Sequence, residues 1–311
     1  MKSAHPRVVV VGSLNSDLVF RVPRLLASGE TVTGTGFDEF AGGKGLNQAV
    51  ATARLGASVA MVGRVGEDGY GDRLLATLAE AGIDAAAVRR DPAGSGLAFI
   101  MVSDSTGENI IGILPRANGN LSVADVEAAE AAIAAADVLM LQLEVPLATS
   151  QRAAALARAH GVRVILNPAP AQPLGRDLLA LCDLVTPNES EAARLTGVSV
   201  EDDAGVRAAA EALRAQGAGG VVITLGSRGA YALTAEGEQR VPTYPVKAVD
   251  TTAAGDAFSG GLAYGLASDL ALSDALRWGC AAGALACTRL GAVPSLPTQA
   301  EALLLLRGPG R

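Results

Sequence analysis

Short apolar runs alternate with Ala-rich helical segments along most of the chain, and this rhythm constrains the fold more than any single motif. Runs at 8–11, 59–63, 138–143, 162–166, 184–186 and 221–225 are short and continuously apolar, as strands buried on both faces are. Between and after them, 46–55, 71–81, 123–136, 150–160, 204–216, 257–267 and 273–290 carry helix-forming composition, and Ser122 and Asp125 are spaced as a capping pair. The alternation predicts βαβ units: an α/β fold with a mostly parallel central sheet flanked by helices on both faces. At 311 residues the chain suffices for one large α/β domain or two smaller ones. Two stretches break the rhythm. Residues 16–41 and 96–114 alternate without helical periodicity and predict a small separate sheet, placed to cover a cleft as a lid.

Several function classes drop out on composition. The net charge is -7, no basic run exists and aromatics make up only 3%, so neither a phosphate-backbone footprint nor a base-stacking platform for nucleic acid is expected. Cys182, Cys280 and Cys287 are odd in number and lack metal-type spacing, which argues against a disulfide framework or zinc site and for a reducing cytoplasmic setting. The N-terminal segment lacks the apolar region of a signal peptide, and no run is long enough to span a membrane. His5 and His160 both lie away from the motifs below, so Ser/His/Asp hydrolysis lacks its base.

In an open parallel sheet, ligands bind beyond the carboxyl ends of the strands. Asn15 and Asp17, Glu144, Asn167, Asn188 and Glu191, and Thr224-Leu225-Gly226-Ser227 all follow apolar runs. Each alone would also serve as a cap or loop solvator. Gly42-Gly43-Lys44-Gly45-Leu46-Asn47-Gln48 is a glycine turn opening a helix, with a cation and an amide one turn apart, suited either to a ligand or to a plain surface turn. It is not a Walker A loop, because no Ser or Thr follows Lys44 and the leading glycine is missing. Asp250-Thr251-Thr252-Ala253-Ala254-Gly255-Asp256 joins a small-residue turn to a carboxylate at an expected helix start. Small residues let backbone N–H groups approach an anion, and a carboxylate there can take a proton from an attacking hydroxyl. A helix N-cap Asp after a glycine turn is the competing reading.

Taken together, these two segments with Gly12-Ser13-Leu14-Asn15-Ser16-Asp17, Gly29-Glu30-Thr31-Val32, Gly107-Glu108-Asn109, Gln142-Leu143-Glu144, Leu166-Asn167-Pro168-Ala169-Pro170, Thr186-Pro187-Asn188-Glu189, Ile223-Thr224-Leu225-Gly226-Ser227-Arg228-Gly229 and Gly291-Ala292-Val293-Pro294-Ser295 resemble the PfkB carbohydrate kinase family, its ribokinase branch in particular. The resemblance implies a ribokinase-like fold in which 1–14, 42–95 and 115–311 form the large domain. Residues 15–41 and 96–114 would form a β-sheet lid that makes a homodimer contact. It also implies ATP-dependent phosphorylation of the 5-hydroxyl of D-ribose, with Asp256 as base and Ala253, Ala254 and Gly255 as anion hole. Asn15, Ser16, Asp17, Gly43, Lys44, Gly45, Asn47 and Glu144 correspond to the sugar side. Asn188, Glu191, Thr224, Leu225, Gly226, Ser227, Arg228, Gly229, Gly255 and Cys280 correspond to the nucleotide side, with Asn188 and Glu191 as the family's Asn-x-x-Glu element supporting Mg²⁺ through water. Asp250, Thr252, Ala286, Arg289, Gly291 and Ser295 match a K⁺ site.

Cys280 departs from the pattern, since relatives usually carry His or Asn near the adenine. Ala98, Met101 and Ile111 are apolar, as a sugar-pocket wall would be, and equally as lid core would be. Kinases of deoxyribose, another sugar or a nucleoside, and a non-catalytic sugar-binding regulator, are the alternative readings. Asp17 argues for ribose, and Asp256, Gly255, Asn188 and Glu191 argue against loss of chemistry.

Overall fold

The computed structural model describes residues 5–308. Its large sheet has nine strands. In sequence they are β1 (Arg7–Val11), β4 (Ser58–Gly66), β5 (Asp84–Asp91), β8 (Val138–Leu141), β9 (Arg163–Leu166), β10 (Leu184–Val185), β11 (Val221–Thr224), β12 (Ala230–Thr234) and β13 (Gly237–Val241). They run in the order β13-β12-β11-β10-β9-β8-β1-β4-β5, with every pair from β11 to β5 parallel and the β12/β13 hairpin closing one edge antiparallel. Strand order reverses at β1, which pairs with β4 on one side and β8 on the other, and such a reversal opens a crevice at the carboxyl ends.

The helices are α1 (Lys44–Arg54), α2 (Gly69–Glu80), α3 (Val123–Ala128), α4 (Glu130–Ala134), α5 (Leu147–Ala159), α6 (Arg176–Leu179), α7 (Glu189–Thr196), α8 (Asp203–Ala215), α9 (Ala254–Ala267), α10 (Leu272–Ala286) and α11 (Gln299–Arg307). Alternation along β1 shows how they cover the sheet. Val8 and Val10 join a core containing Leu46, Leu74, Leu262 and Leu276 from α1, α2, α9 and α10. Val9 and Val11 join a second core with Val126, Ile133, Ala153 and Val206 from α3, α4, α5 and α8. Both cores need apolar residues, which is why the central strands read as continuous apolar runs.

A second, four-stranded sheet comes from the two stretches without helical periodicity: β2 (Asn15–Val22), β3 (Gly36–Gly42), β6 (Gly96–Ser103) and β7 (Asn109–Leu114), in the order β3-β2-β6-β7. Its faces differ. Register puts Phe20 beside both Phe37 and Met101, and Met101 beside Ile110, so these side chains share the outer face. Phe37, Phe99 and Ile110 are exposed there. Met101 therefore belongs to the outer face and not to a pocket wall, whereas Ala98 and Ile111 line the cleft described below.

Helix boundaries depart from expectation where distant groups intervene. The first helix begins at Lys44 instead of 46, since the Lys44 N–H donates to Glu144 Oε2 at 3.0 Å from 100 residues away. The expected helix 273–290 stops at Ala286, and the Cys287 carbonyl accepts the N–H groups of Val249 and Asp250 at 2.7 and 3.2 Å. The segment 123–136 breaks at Ala129 into α3 and α4, with no Gly or Pro to account for it. Ser122 and Asp125 do form a capping box. No helix among the described residues is long and apolar enough to cross a membrane.

Candidate active site

Three cavities lie end to end across the carboxyl ends of the strands. A cleft of about 550 Å³ sits between the small sheet and the large one, lined by Asn15, Asp17, Lys44, Asn47, Glu144 and Asp256 among others. A groove of about 530 Å³ opens at the other end, lined by Thr224, Gly226, Ser227, Gly229, Phe258 and Cys280 among others. A smaller space of about 160 Å³ joins them, sharing Lys44, Glu191, Ala253 and Asp256 with the cleft and Thr224, Thr251, Ala254 and Gly255 with the groove. The first turn of α9 is thus the common wall of all three.

That turn begins earlier than the sequence implies. Ala253, at φ 58°, is the N-cap without any side-chain cap bond, and Asp256 lies inside the first turn. Asp256 is therefore not a helix cap, and the capping alternative falls. Its carboxylate is 7% exposed and accepts one donor on each oxygen: Asn47 Nδ2 to Oδ2 at 2.9 Å and Gln48 Nε2 to Oδ1 at 3.0 Å. Burial pushes Asp256 above the ordinary carboxylate range, against the pull of Lys44, Gln48 and Asn47, while Glu144 adds to the upward push. Burial would likewise lower the Lys44 ammonium. The carboxylates of Asp256, Glu144, Glu191 and Asp17 overcome it and hold Lys44 above its usual value, so it stays charged.

Strand alternation brings Asn15 and Asp17 to the cleft. Ser16, between them, is buried, and neither it nor Gly45 lines the cleft. Gly45 instead packs against Ser13, where a Cβ would come within 2.6 Å of backbone atoms. The Asp17 carboxylate lies so close over Gly42 that a Cβ there would sit 2.1 Å from Oδ2. Burial, then the charges of Glu144 and Asp256, raise Asp17 to about 7, with Lys44 opposing. Glu144 Oε2 holds the Ser13 hydroxyl at 2.5 Å and the Lys44 N–H at 3.0 Å, tying the end of β8 to the start of α1. Asn118 Nδ2 donates to Asn15 Oδ1 at 2.7 Å and so orients it.

On the groove side two expected residues are absent. Leu225 is buried, and Arg228 points away to pair with Glu189 and Asp203 at 2.6 and 3.4 Å. Asn188 and Glu191 line the joining space rather than the groove, and their side chains cap α7 reciprocally, each bond 2.8 Å. Burial raises Glu191, opposed by the Asn188 N–H and Lys44. Cys280 lies in the groove wall, and burial pushes its thiol up to about 12, so it acts there as an apolar surface.

Of the remaining set, Asp250, Thr252 and Gly291 come together directly. Asp250 Oδ1 accepts from the Thr252 N–H and hydroxyl at 2.9 and 2.7 Å, and Oδ2 accepts from the Gly291 N–H at 2.9 Å. These bonds, with Arg21 nearby, hold Asp250 below its ordinary value despite burial, which acts the other way. Ala286 and Ser295 are buried, Ser295 donating to the Ala292 carbonyl at 2.8 Å, while the Arg289 side chain turns outward to Glu301.

Two residues absent from the expected site set, Gln48 and Gln142, complete the surroundings of Asp256 together with Asn167, which its place after β9 already marks in the sequence. Gln48, Gln142 and Asn167 form a buried amide cluster behind Asp256. The available signal was three amides, one directly after Asn47, in otherwise apolar strand ends and helix.

The pfkB family carbohydrate kinase profile matches residues 5–299. The chain is 43% identical over 301 residues to the ribokinase of Haemophilus influenzae, covering 96% of this chain and 98% of that protein. It is 38% identical over 259 residues to the deoxyribokinase of Salmonella typhi, covering 83% and 84%. In three dimensions it matches Arabidopsis thaliana ribokinase complexed with ribose and ATP, at TM-score 0.90 and 32% identity over 97% of this chain and 99% of that one. With the family match running through nearly the whole chain and curated ribokinases matching it over nearly their full length, the protein belongs to the pfkB family of carbohydrate kinases and is a phosphotransferase with an alcohol acceptor.

Proposed function

We propose that the protein transfers the γ-phosphoryl group of ATP to the 5-hydroxyl of D-ribose, giving D-ribose 5-phosphate and ADP. The observation that carries this reading is the placement of Asp256, buried where the cleft, with Asn15, Asp17, Asn47 and Glu144 among its lining residues, meets the space leading to the groove. Asn15, Asp17, Gly43, Lys44, Asn47 and Glu144 hold the sugar hydroxyls with paired donors and acceptors, which a polyol pocket requires. Asn47 Oδ1 is buried without a protein partner and is free to accept a sugar hydroxyl. Asp256 takes the hydroxyl proton as the oxygen forms its bond to the γ-phosphorus and the bond to the β-phosphate oxygen breaks. The N–H groups at Ala253 and Gly255 would face the charge on the transferred group, joined by that of Ala254 once it is released from the Thr251 carbonyl, to which it donates at 3.2 Å; the start of α9, with no side-chain cap, supports this. Thr224, Gly226, Ser227 and Gly229 hold the nucleotide, with the adenine against Cys280.

The oxygen-rich joining space suits a hard cation: Glu191 supplies a carboxylate there and Asn188 and Thr186 further oxygens, acting through water. Mg²⁺ there would be held mainly by phosphates and water, as this ion commonly is. Bound there, Mg²⁺ would neutralise phosphate charge. K⁺ is assigned to the Asp250 loop, because Asp250 already ties Thr252 to the Gly291 turn, and the carbonyls of Ala286 and Arg289 are the further ligands that the resemblance implies. We read the small sheet, 15–41 and 96–114, as a lid on the large domain. Its apolar outer face is covered by a second copy of the chain, and a monomer by sedimentation at micromolar concentration would overturn this. Three free thiols accord with a cytoplasmic location.

The likeness to a deoxyribokinase makes 2-deoxyribose the competing acceptor. ADP release should be followed with Mg²⁺ across ribose, 2-deoxyribose, fructose and adenosine, in K⁺ and then in a bulky organic cation without sodium. Ribose should give the highest kcat/KM, and K⁺ should raise it. A different preferred acceptor would refute the sugar assignment, and equal turnover in both salts would refute the K⁺ assignment.

A further inference from the structure

Asp256 is tied to the sheet through a chain of side-chain amides, of which only Asn167 reaches a cavity. Gln48 Nε2 donates to Asp256 Oδ1 at 3.0 Å and to Asn167 Oδ1 at 3.1 Å, while Gln48 Oε1 accepts from Gln142 Nε2 at 2.6 Å. Gln48 and Gln142 are fully buried, and neither borders the cleft, the groove or the joining space. Substrate contact therefore does not explain them. Packing alone does not explain them either, since burying two carboxamides in an apolar core is unfavourable unless their hydrogen bonds have a use or are all met. The Gln142 Oε1 atom indeed has no partner within the protein.

A carboxamide has a donor end and an acceptor end. The bond from Gln142 fixes which end of Gln48 is which. Reversed, Gln48 would aim its oxygen at the Asp256 carboxylate and face the Gln142 N–H₂ with another donor. Asn167 reinforces the same orientation, since it offers Gln48 an acceptor and anchors its own N–H₂ on the Thr186 carbonyl at 3.0 Å. The reach from α1 to α9 depends on close helix contact at Gly260, where a Cβ would lie 2.6 Å from Ala51 Cβ and 3.1 Å from the Thr52 nitrogen.

We propose that Gln48, oriented by Gln142, is a positioning residue that aims the Asp256 carboxylate at the acceptor hydroxyl and keeps it free to take the proton. The proposal rests on Asp256 being the base. Asn47, the other donor to Asp256, also borders the cleft and serves the sugar in the proposed function, whereas Gln48 reaches the carboxylate from outside all three cavities. The charged groups facing Asp256 are Lys44 from α1, Glu144 beyond β8, Asp17 from β2 and Glu191 from α7. Three of the four are carboxylates that disfavour its ionised form. Lys44 is shared among all of them, so a direct N–H donor on Asp256 matters the more.

The test uses Gln48→Leu and Gln142→Leu in the full chain, with melting curves to show that each folds. Gln48→Leu should lower kcat about 30- to 100-fold with KM for ribose and ATP within about threefold, and move the acid limb of the kcat profile alkaline by about one pH unit. Gln142→Leu, which leaves Asp256 its direct donor but frees Gln48 to turn over, should move both readouts the same way by about a third as much on a logarithmic scale. If Gln48→Leu does not fold, Gln142→Leu decides. Wild-type kcat with an unshifted acid limb in the folded variant overturns the proposal. Asp256→Ala separates the two readings: turnover surviving that change means that Asp256 is not the base, whereas an inactive Asp256→Ala beside a fully active Gln48→Leu removes only the positioning role.

Discussion

Replacing Asp256 by alanine is expected to lower kcat by about 10³- to 10⁴-fold while ribose binding, measured by calorimetry, stays within about threefold. The asymmetry follows from where the side chain sits. Asp256 is one of several polar groups at the cleft, so its loss removes one hydrogen-bond acceptor among many for the sugar. For the reaction its place is special: like Glu191 it borders both cleft and joining space, but it alone of the two stands at the start of α9, where the proposed anion hole lies. The fold should tolerate the change. A buried carboxylate raised above its ordinary range destabilises the native state in its ionised form, so the Asn47 and Gln48 donors left behind are offset in part by relief of that burial. In the intact enzyme, kcat should fall on the acid side as Asp256 is protonated, and that limb should lie above the ordinary carboxylate range. Wild-type turnover in Asp256→Ala would remove the base from the mechanism.

Asp17→Asn should separate affinity from stability in opposite directions. Asp17 titrates at about 7, chiefly through burial and then through Glu144 and Asp256. Sugar hydroxyls donate to a carboxylate and favour its ionised form, so ribose binding near neutral pH should release a proton and weaken as pH falls below 7. The asparagine variant keeps the shape but loses the charge. Its ribose affinity should fall about 10- to 100-fold with kcat at saturation little changed, and its affinity should no longer vary with pH in that range. Stability moves the other way. The native state holds the Asp17 proton up to about 7 whereas an unfolded carboxyl loses it near 3.8, so the wild-type chain loses stability as pH rises between those values. Without ribose at pH 8, Asp17→Asn should therefore be more stable than wild type by roughly 1–3 kcal/mol. Calorimetry in buffers of differing ionisation enthalpy measures the proton release; none at pH 6.5, with unaltered affinity in the variant, would mean that Asp17 does not read the sugar.

The strands legible in the sequence are those covered on both faces. Continuous apolar runs marked β1, β4, β8, β9, β10 and β11, whereas β5, β12 and β13 lie at or next to a sheet edge and carry mixed residues such as Gly237-Glu238-Gln239-Arg240-Val241. Their strand character comes from pairing with neighbours. Helices α7 and α11 announce themselves only by capping boxes, Asn188 with Glu191 and Thr298 with Glu301, and the first of these reads equally as a metal-supporting element. The ends of α1 and α10 were displaced by bonds from residues far away, to which local composition is blind. In the site, glycine turns and strand-end polar residues pointed to Asp17, Lys44, Asn47, Glu144 and Asp256, all of which line the cleft. Leu225 and Arg228 sit inside the same motif as Gly226 and Ser227 yet face elsewhere, because a turn of this kind points successive side chains in different directions. Gln48 and Gln142 carry no periodic signal, and their partnership exists only once α9 lies against α1.

The bonds from α1 to Asp256 span 209 and 208 residues of sequence. On a ribosome, the segments that form β1, β4 and β8 and the polar floor of the cleft emerge long before α9 does. The amides of Asn47 and Gln48 then have no carboxylate to meet, and with Asp256 as the proposed base a nascent chain whose cleft residues are already made would lack its proton acceptor. On the proposed assignment, competence for chemistry would be an event of late folding, fixed when α9 docks on α1.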